Sequence, residues 1–180
     1  DQAISDYEKI LGITSCWKGK HNELGTRNAL FNFENTYLEL LSPCDVGPGT
    51  ELVNTLLAEN GDHLAGIVLG TKNIEHTKEA LNKNGHAVEI SSGETVNEKD
   101  GKIRRWKNIF LPSALSRELF IFIIEHTEGG LSKYENQDPS KVKKLDHVVI
   151  NTQDADSFIS IYRDVYKIRL ALDKTIEHWK

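Results

Sequence analysis

A weak internal repeat runs through this 180-residue chain and limits the folds that it can adopt. Residues 1–13 align without gaps on residues 156–168, and both segments have apolar residues at helical spacing. The identical residues of the first copy are Asp1, Ile4, Ser5, Tyr7 and Ile13. Because the two helices match, we expect each of them to belong to a similar structural unit.

The middle of the chain fits the same repeat. Placing Thr71 on Thr152 aligns residues 64–69 with residues 145–150, and residues 107–110 resemble residues 27–30. The last strand of each unit carries a carboxylate after apolar residues, at Glu39 and Glu125. The repeat therefore predicts a unit made of one strand, one helix and three further strands.

Local sequence patterns assign the elements of these units. We predict helices at residues 1–12, 51–58, 73–84 and 154–166, and strands at 13–18, 27–33, 36–41, 64–69, 86–91, 103–111, 119–126 and 145–150. Residues 92–102 are polar and are predicted to form a loop. The first helix has no strand before it, so we expect the first unit to lack its first strand.

The same patterns predict the domain organisation. Residues 1–126 are expected to form one domain of two modules, residues 127–144 a polar linker, and residues 145–180 the start of a second similar domain. One alternative remains open at this stage. The strand at 145–150 matches the missing first strand, and it could instead pair with the unpaired edge of the sheet that contains Glu39.

Charge and cysteine content exclude some classes of function. The chain has 22 Lys and Arg against 27 Asp and Glu, a formal net charge of -5, which argues against nucleic acid as its main partner. No apolar run approaches the roughly 20 residues of a membrane helix. Cys16 and Cys44 lack the spacing of a disulfide framework, so we expect a cytoplasmic protein with unreactive thiols.

Two short motifs suggest a known superfamily. The sequence Leu-Asp-His-Val-Val-Ile at 145–150, an amphipathic helix and three strands ending in Glu resemble the module of the vicinal oxygen chelate superfamily. That superfamily includes glyoxalase I, extradiol dioxygenases and bleomycin-resistance proteins. Gly-Thr-Arg-Asn-Ala-Leu at 25–30 with Tyr-Leu-Glu-Leu at 37–40 is similar to the glyoxalase-like domain of unassigned bacterial proteins. The resemblance implies an α+β fold in which paired βαβββ modules form a curved mixed sheet, with helices on its outer face.

The resemblance also assigns candidate catalytic residues. In the superfamily, His or Gln and Glu ligands from the first and fourth strands of each module converge on a metal ion in the cup. Glu39 and Glu125 occupy the fourth-strand positions and are the candidate catalytic carboxylates. Each has a second interpretation: Glu125 could emerge into water at the end of its strand, and Glu39 could be an exposed strand residue.

Other positions depart from the superfamily's metal site. Gly66 occupies the first-strand position of the middle module and cannot ligate, while Arg27 stands where related domains often have His. His147 matches the first-strand pattern, but its partners would lie in the second domain. A divalent metal cofactor is implied by the resemblance, yet its ligand set is incomplete, so we expect residues 1–126 to bind no such ion tightly.

Four polar or aromatic residues are candidates for substrate binding. They are Arg27, Asn28, Trp106 and Asn108. Arg27 suits an anionic group, and the two asparagines recur at matching places in the repeat. Structural roles inside the strands remain open for the asparagines and for Trp106.

Two functions fit these features. One is an enzyme acting on a small oxygenated or anionic metabolite, with metal assistance in some members of the superfamily, as a lyase, isomerase, hydrolase or dioxygenase. The other is a non-catalytic protein that binds or sequesters a small molecule, as the resistance proteins do. Either would have a small-molecule ligand as its partner, with no nucleic acid and no membrane, and a homodimer is compatible with both.

Overall fold

The described part of the chain comprises residues 2–116, 119–131, 134, 138, 140–150 and 152–170 of a computed structural model. Its helices are α1 (Gln2–Leu11), α2 (Pro48–Asn60), α3 (Ile74–Lys83), α4 (Ser113–Ser116) and α5 (Ala155–Ile159), the last of which continues as a π-helix at Ser160–Val165. Its strands are β1 (Trp17–His21), β2 (Thr26–Asn32), β3 (Tyr37–Pro43), β4 (Gly66–Gly70), β5 (Ser91–Asn97), β6 (Ile103–Phe110) and β7 (Phe120–Glu128).

These strands form one mixed sheet in the order β3-β2-β1-β5-β6-β7-β4. The β4–β7 pair is parallel and the other pairs are antiparallel. The second module has the full strand-helix-three-strand order, from β4 through α3 to β7, whereas the first begins at α1. The α+β fold class expected from the sequence is confirmed.

The sheet is strongly curved. Five strand-to-strand steps separate β3 from β7, which corresponds to about 24 Å in a flat sheet at about 4.8 Å per step. Tyr37 on β3 and His126 on β7 nevertheless lie close together, with Tyr37 Oη and His126 Nε2 3.3 Å apart. The sheet must therefore curl into a half-barrel with a concave and a convex face.

Helices cover the convex face at two apolar cores. In the first module, Phe31 packs against Ile4 and Leu11 of α1. In the second module, Ile74 and Leu81 of α3 pack against residues of β6 and β7, which are Ile109, Ile121 and Ile123. Because these helices pack on the convex face, the concave face is left open for a site.

No helix in the described part of the chain is both long enough and apolar enough to cross a bilayer.

One strand lies outside its expected position. We expected a strand at 86–91 and a loop at 92–102, but β5 occupies Ser91–Asn97. Its polar sequence does not indicate a strand, but its backbone pairs with both β1 and β6, and these hydrogen bonds stabilise the extended conformation. The prediction for these residues is wrong because tertiary pairing outweighs local pattern.

Residues 145–150 also differ from the expectation. They form no strand, and the backbone of Leu145 instead exchanges hydrogen bonds with the side chain of Asn35. Further along, Ile161 and Tyr162 are buried in the core of the second module, and the Tyr166 hydroxyl donates to the Leu115 carbonyl at 2.7 Å. These contacts link the C-terminal helix to the first domain, while the division at 127–144 stays a prediction.

Candidate functional site

The strand registers define which residues share the concave face of the first module. Directly opposed residues of an antiparallel pair point to the same side of the sheet. Trp17 and Gly19 on β1 oppose Leu30 and Asn28 on β2, and Leu30 in turn opposes Glu39 on β3. Asn28 and Glu39 therefore lie on one face, where the Asn28 amide Nδ2 donates to Glu39 Oε1 at 2.8 Å.

The second module contributes a matching set of residues to this face. Thr95 opposes Arg104, Gly93 opposes Trp106, and Trp106 opposes His126. Trp106 lies directly over Gly93, because a side-chain carbon on that glycine would come within 2.6 Å of the indole ring. The glycine is thus needed for the aromatic ring to lie flat against the sheet.

Arg104 is the central cation of the concave face. Its side chain is only 4% exposed, its Nε donates to the Gly129 carbonyl at 3.1 Å, and its guanidinium carbon lies 5.3 Å from the Trp17 ring and 5.8 Å from the Tyr37 ring. Among the described residues, no carboxylate oxygen comes within 4.0 Å of its nitrogens. A buried cation without a paired anion is costly, so this guanidinium is suited to an anionic ligand.

Three more polar atoms on this face have no hydrogen-bond partner among the described residues. They are Trp17 Nε1, Asn28 Oδ1 and Thr95 Oγ1, in side chains that are 6%, 8% and 1% exposed. A side-chain carbon on Gly19 would lie 2.5 Å from both Trp17 Nε1 and Thr95 Oγ1, so these two atoms converge over the Gly19 backbone. Buried polar atoms require a partner, and a ligand oxygen or an ordered water fits there.

Burial shifts the protonation of the acid on this face. Desolvation raises the pKa of Glu39 above its ordinary value, and the Asn28 hydrogen bond and the Arg104 charge act in the opposite direction. Desolvation, together with the Glu39 charge, raises the pKa of Tyr37 to about 12, so its hydroxyl keeps its proton. A raised pKa moves a carboxyl group toward the range in which it is suited to proton transfer.

Two histidines near Arg104 are held in the neutral form. Burial, with a further contribution from the Arg104 charge, lowers the pKa of His21 to about 4, and the same two causes lower the pKa of His126. His21 Nδ1 lies 2.9 Å from Thr26 Oγ1, and its ring meets Trp106 edge-on at 5.4 Å. Both imidazoles are therefore polar but uncharged parts of the concave face.

The structure separates the expected site residues into two groups. Asn28, Glu39, Trp106 and Asn108 lie on the concave face, where Asn108 Nδ2 donates to Ser91 Oγ at 3.2 Å. Arg27 lies on the convex face, since it opposes Ser42 and its Nε donates to Ser42 Oγ. Its position does not fit the expected contact with a ligand in the cup.

Glu125 also lies on the convex face. It opposes Lys107 in the sheet, and its Oε2 accepts a hydrogen bond from the Ile74 backbone N–H at 2.9 Å. Ile74 begins α3, where an unpaired N–H and the helix dipole favour a carboxylate. Glu125 thus accepts a hydrogen bond at the N-terminus of a helix, on the side of the sheet opposite Glu39. Its placement does not match the expectation that Glu39 and Glu125 share one catalytic site.

Several residues of the concave face were missed from the sequence. They are Trp17, His21, Tyr37, Arg104 and His126. Alternation along β6 could have identified Arg104, because it has the same parity as Trp106 and Asn108. His147, a candidate ligand of the expected second domain, is exposed and contacts the Asp146 carboxylate at 2.8 Å.

The donors on the concave face do not suit the metal that the superfamily implies. Within the described ranges, no group of three His, Cys, Asp or Glu side chains converges. Glu39 shares its face with the Arg104 cation, which disfavours a second positive charge. Gly66 has no room for a ligating side chain, because its first carbon would lie 2.2 Å from the Phe120 carbonyl oxygen.

A family model described as a glyoxalase-like domain matches residues 1–166, which includes the expected linker. No curated protein matches the chain. A hypothetical protein from Staphylococcus aureus has a similar structure, with a TM-score of 0.66 and 17% identity over 91% of this chain and 71% of its own.

Two further solved structures are similar over a shorter part of the chain. A hypothetical protein from Bacillus halodurans C-125 has a TM-score of 0.54 and 18% identity, over 73% of this chain and 88% of its own. Streptomyces coelicolor methylmalonyl-CoA epimerase, in complex with 2-nitronate-propionyl-CoA, has a TM-score of 0.51 and 19% identity, over 71% of this chain and 89% of its own. At these identities the similarity establishes a common fold.

Proposed function

Because this chain belongs to the glyoxalase-like domain family, we propose that its concave face binds a small oxygenated or anionic metabolite. The observation that carries the proposal is Arg104, a buried guanidinium with no carboxylate within 4.0 Å among the described residues. Methylmalonyl-CoA epimerase, which shares the fold, has been solved with 2-nitronate-propionyl-CoA, so the fold accommodates an oxygenated ligand in that protein.

Arg104 takes the role that the sequence suggested for Arg27. A carboxylate placed against the guanidinium would form charge-assisted hydrogen bonds and neutralise a charge that is expensive to bury alone. The unpartnered Trp17 Nε1 and Thr95 Oγ1 offer further hydrogen bonds to ligand oxygens. Asn28, Asn108 and Trp106 belong to the same face and complete the walls of the proposed site.

Glu39 gives the proposed site a catalytic group. Its raised pKa and its position on the face of Arg104 suit proton transfer at the carbon next to a bound carbonyl or carboxylate. The Glu39 carboxylate takes the proton, and the electron pair moves onto the ligand oxygen that Arg104 holds. Delivery of the proton to the other face of that carbon, while the electron pair returns from the oxygen, restores the Glu39 carboxylate and gives an isomerised product without another reactant.

A non-catalytic binding protein is the second candidate. It is favoured by the donor set, because the described residues bring no three potential metal ligands together. In this alternative, Arg104 and the orphaned polar atoms hold the ligand, and Glu39 only accepts the Asn28 hydrogen bond. The two candidates differ in whether bound ligand exchanges a proton.

A fluorescence titration tests the binding site itself. Trp17 and Trp106 lie on the concave face, so acetate, lactate and pyruvate are titrated while tryptophan emission is followed. We expect saturable binding that weakens at least tenfold in Arg104→Gln, whereas Arg27→Gln on the convex face binds as wild type. Circular dichroism verifies that each variant is folded, and Arg104→Lys retains the charge if the Gln variant does not fold. Equal losses in the Arg27 and Arg104 variants, or no binding of any acid, would overturn the proposal.

Proton exchange distinguishes the two candidates. Lactate, pyruvate or another bound acid is incubated with the protein in deuterium oxide, and proton NMR follows the hydrogen next to the carboxyl or carbonyl carbon. The enzyme candidate predicts exchange faster than in buffer and a loss of that acceleration in Glu39→Gln. Saturable binding without accelerated exchange, in each acid that binds, favours the sequestering protein.

A further inference from the structure

The concave face has an aromatic region beyond the polar site. Phe110, Phe120 and Phe122 form a cluster there, with ring centroids 5.4, 5.7 and 6.2 Å apart, and we call these three residues the phenylalanine shelf. Phe110 opposes Phe122 between β6 and β7, two register positions beyond the pair of Asn108 and Ile124. The shelf therefore continues the same face of the same strands.

One aliphatic side chain extends this apolar region. Val68 on β4 is in register with Phe122, and it is 37% exposed. The shelf therefore continues as an apolar surface onto the edge strand of the sheet.

Such a surface is unusual for a sheet whose other face is already covered. A sheet packed on one side normally presents polar side chains on the other. Here the convex face buries Ile109, Ile121 and Ile123 under helices, yet Phe110 on the concave face is 54% exposed. Phe120 and Phe122 beside it are half-buried, so the cluster reaches the surface at Phe110. An aromatic cluster that reaches the surface is suited to contact with an apolar group of a ligand.

The shelf is continuous with the proposed anion site. Arg104, Trp106, Asn108 and Phe110 alternate along β6 on one face, so the path from Arg104 to Phe110 is about 20 Å at about 3.3 Å per residue. One end of this path offers a guanidinium that has no carboxylate partner among the described residues, and the other end offers aromatic rings. A ligand that spans the path needs a charged head and an extended apolar tail.

We infer that the ligand of this face is an amphipathic organic acid, with its anionic group at Arg104 and an unbranched hydrocarbon chain along the phenylalanine shelf. The inference rests on the proposed function, since it adds a tail subsite to the anion site. Charge complementarity at Arg104 and continuity of the shelf with that site select this occupant. A second copy of the chain could cover the phenylalanine rings, but it would not supply an anion to the buried Arg104 guanidinium.

A homologous series of acids tests the tail subsite. Unbranched carboxylates from acetate to hexadecanoate, whose extended chain spans roughly the distance from Arg104 to the shelf, are titrated by calorimetry, each below the concentration at which it aggregates. Burial of each added methylene is expected to increase affinity about fourfold until the chain passes the shelf. Phe110→Ala should reduce this gain for the longer acids, while Ile10→Ala, an exposed apolar change on α1, should leave it as in wild type. Alkylammonium ions of the same chain lengths should bind more weakly than the acids.

The outcomes separate this inference from the proposed function. Acetate binding that depends on Arg104, with no gain in affinity along the series, would overturn the tail subsite and leave the anion site intact. Binding of none of the acids would overturn both. Sedimentation velocity adds a further check: a wild-type dimer that becomes monomeric in Phe110→Ala, with an unchanged chain-length gain, would identify the shelf as a dimer interface and overturn the tail subsite.

Discussion

Burial of charged and titratable side chains on the concave face is the main feature at the scale of single residues. Arg104 and His21 are buried on this face, and Glu39 is half-buried there. Their protonation depends on this environment, which strand alternation alone does not reveal. The sequence made Glu39 and Asn28 candidates for the cup, and the structure places both on its concave face. It assigned the cation to Arg27 from the family resemblance, and no sequence feature singled out Arg104.

We expect Glu39→Gln to stabilise the fold at neutral pH. Desolvation raises the pKa of Glu39 in the folded state, so folding favours its neutral form and the charge becomes destabilising as the pH rises above the ordinary value. Urea unfolding at pH 7 should give a higher free energy of unfolding for the variant, and the difference should vanish near pH 4. The matched control is Glu98→Gln, at an exposed carboxylate, and equal effects of the two changes would contradict the account.

We expect His21 to make stability fall in acid. Its pKa of about 4 in the folded state lies below the ordinary 6.5, so the unfolded chain takes up a proton first as the pH falls. Between pH 7 and pH 4 this linkage should remove about 3 kcal/mol from the free energy of unfolding. His21→Gln should lose that part of the pH dependence, measured by urea unfolding across this range. The exposed His76→Gln should retain it, and a retained dependence in His21→Gln would disprove the assignment.

At the scale of elements, strong local patterns were reliable and weak ones were not. The sequence identified α1 and α3 from their helical apolar period and β7 from a continuous apolar run, and it placed a strand at β6 despite the polar start of that segment. It misplaced β5, because the small and polar residues of that strand show no apolar alternation. The glycine among them, Gly93, lies under the Trp106 ring. It also treated Glu125 as a partner of Glu39, although one strand position separates an inward from an outward side chain.

Glu125 should therefore matter for α3 and not for ligand binding. Glu125→Ala removes the acceptor of the Ile74 N–H and should cost about 1 kcal/mol, the usual size of a lost helix cap. Chemical denaturation measures this loss, and Glu79→Ala, at an exposed position of α3, is the control. Carboxylate titration of the folded Glu125→Ala protein should match wild type. A folded variant that no longer binds would restore Glu125 to the site.

At the scale of the whole molecule, the repeat predicted the paired modules, and the curvature of the sheet brings their polar residues together. The contact between Tyr37 and His126 could not be foreseen, because it depends on how far the sheet curls. The sequence also did not predict where the C-terminal helix packs. Its sequence matches α1, which suggested a second domain, whereas Ile161 and Tyr162 pack into the core of the second module.

We expect Tyr162→Ala to weaken the first domain directly. The side chain is 3% exposed in the core that contains Ile109 and Ile121, so its loss should cost about 3 kcal/mol. Hydrogen exchange of the β6 and β7 amides should accelerate in this variant, while Val148→Ala, at an exposed position before the helix, should leave it unchanged. Unchanged exchange in Tyr162→Ala would mean that residues 145–180 are independent of the first domain.

The central claim is that the concave face holds an anion at Arg104. A crystal structure of the wild-type chain with a small bromine-labelled carboxylate, located by the anomalous signal of bromine, tests it most directly. The account predicts the carboxylate within hydrogen-bond distance of the Arg104 guanidinium, with its oxygens near Trp17 Nε1 or Thr95 Oγ1. A carboxylate bound at Arg27 on the convex face, with only water beside Arg104, would contradict it.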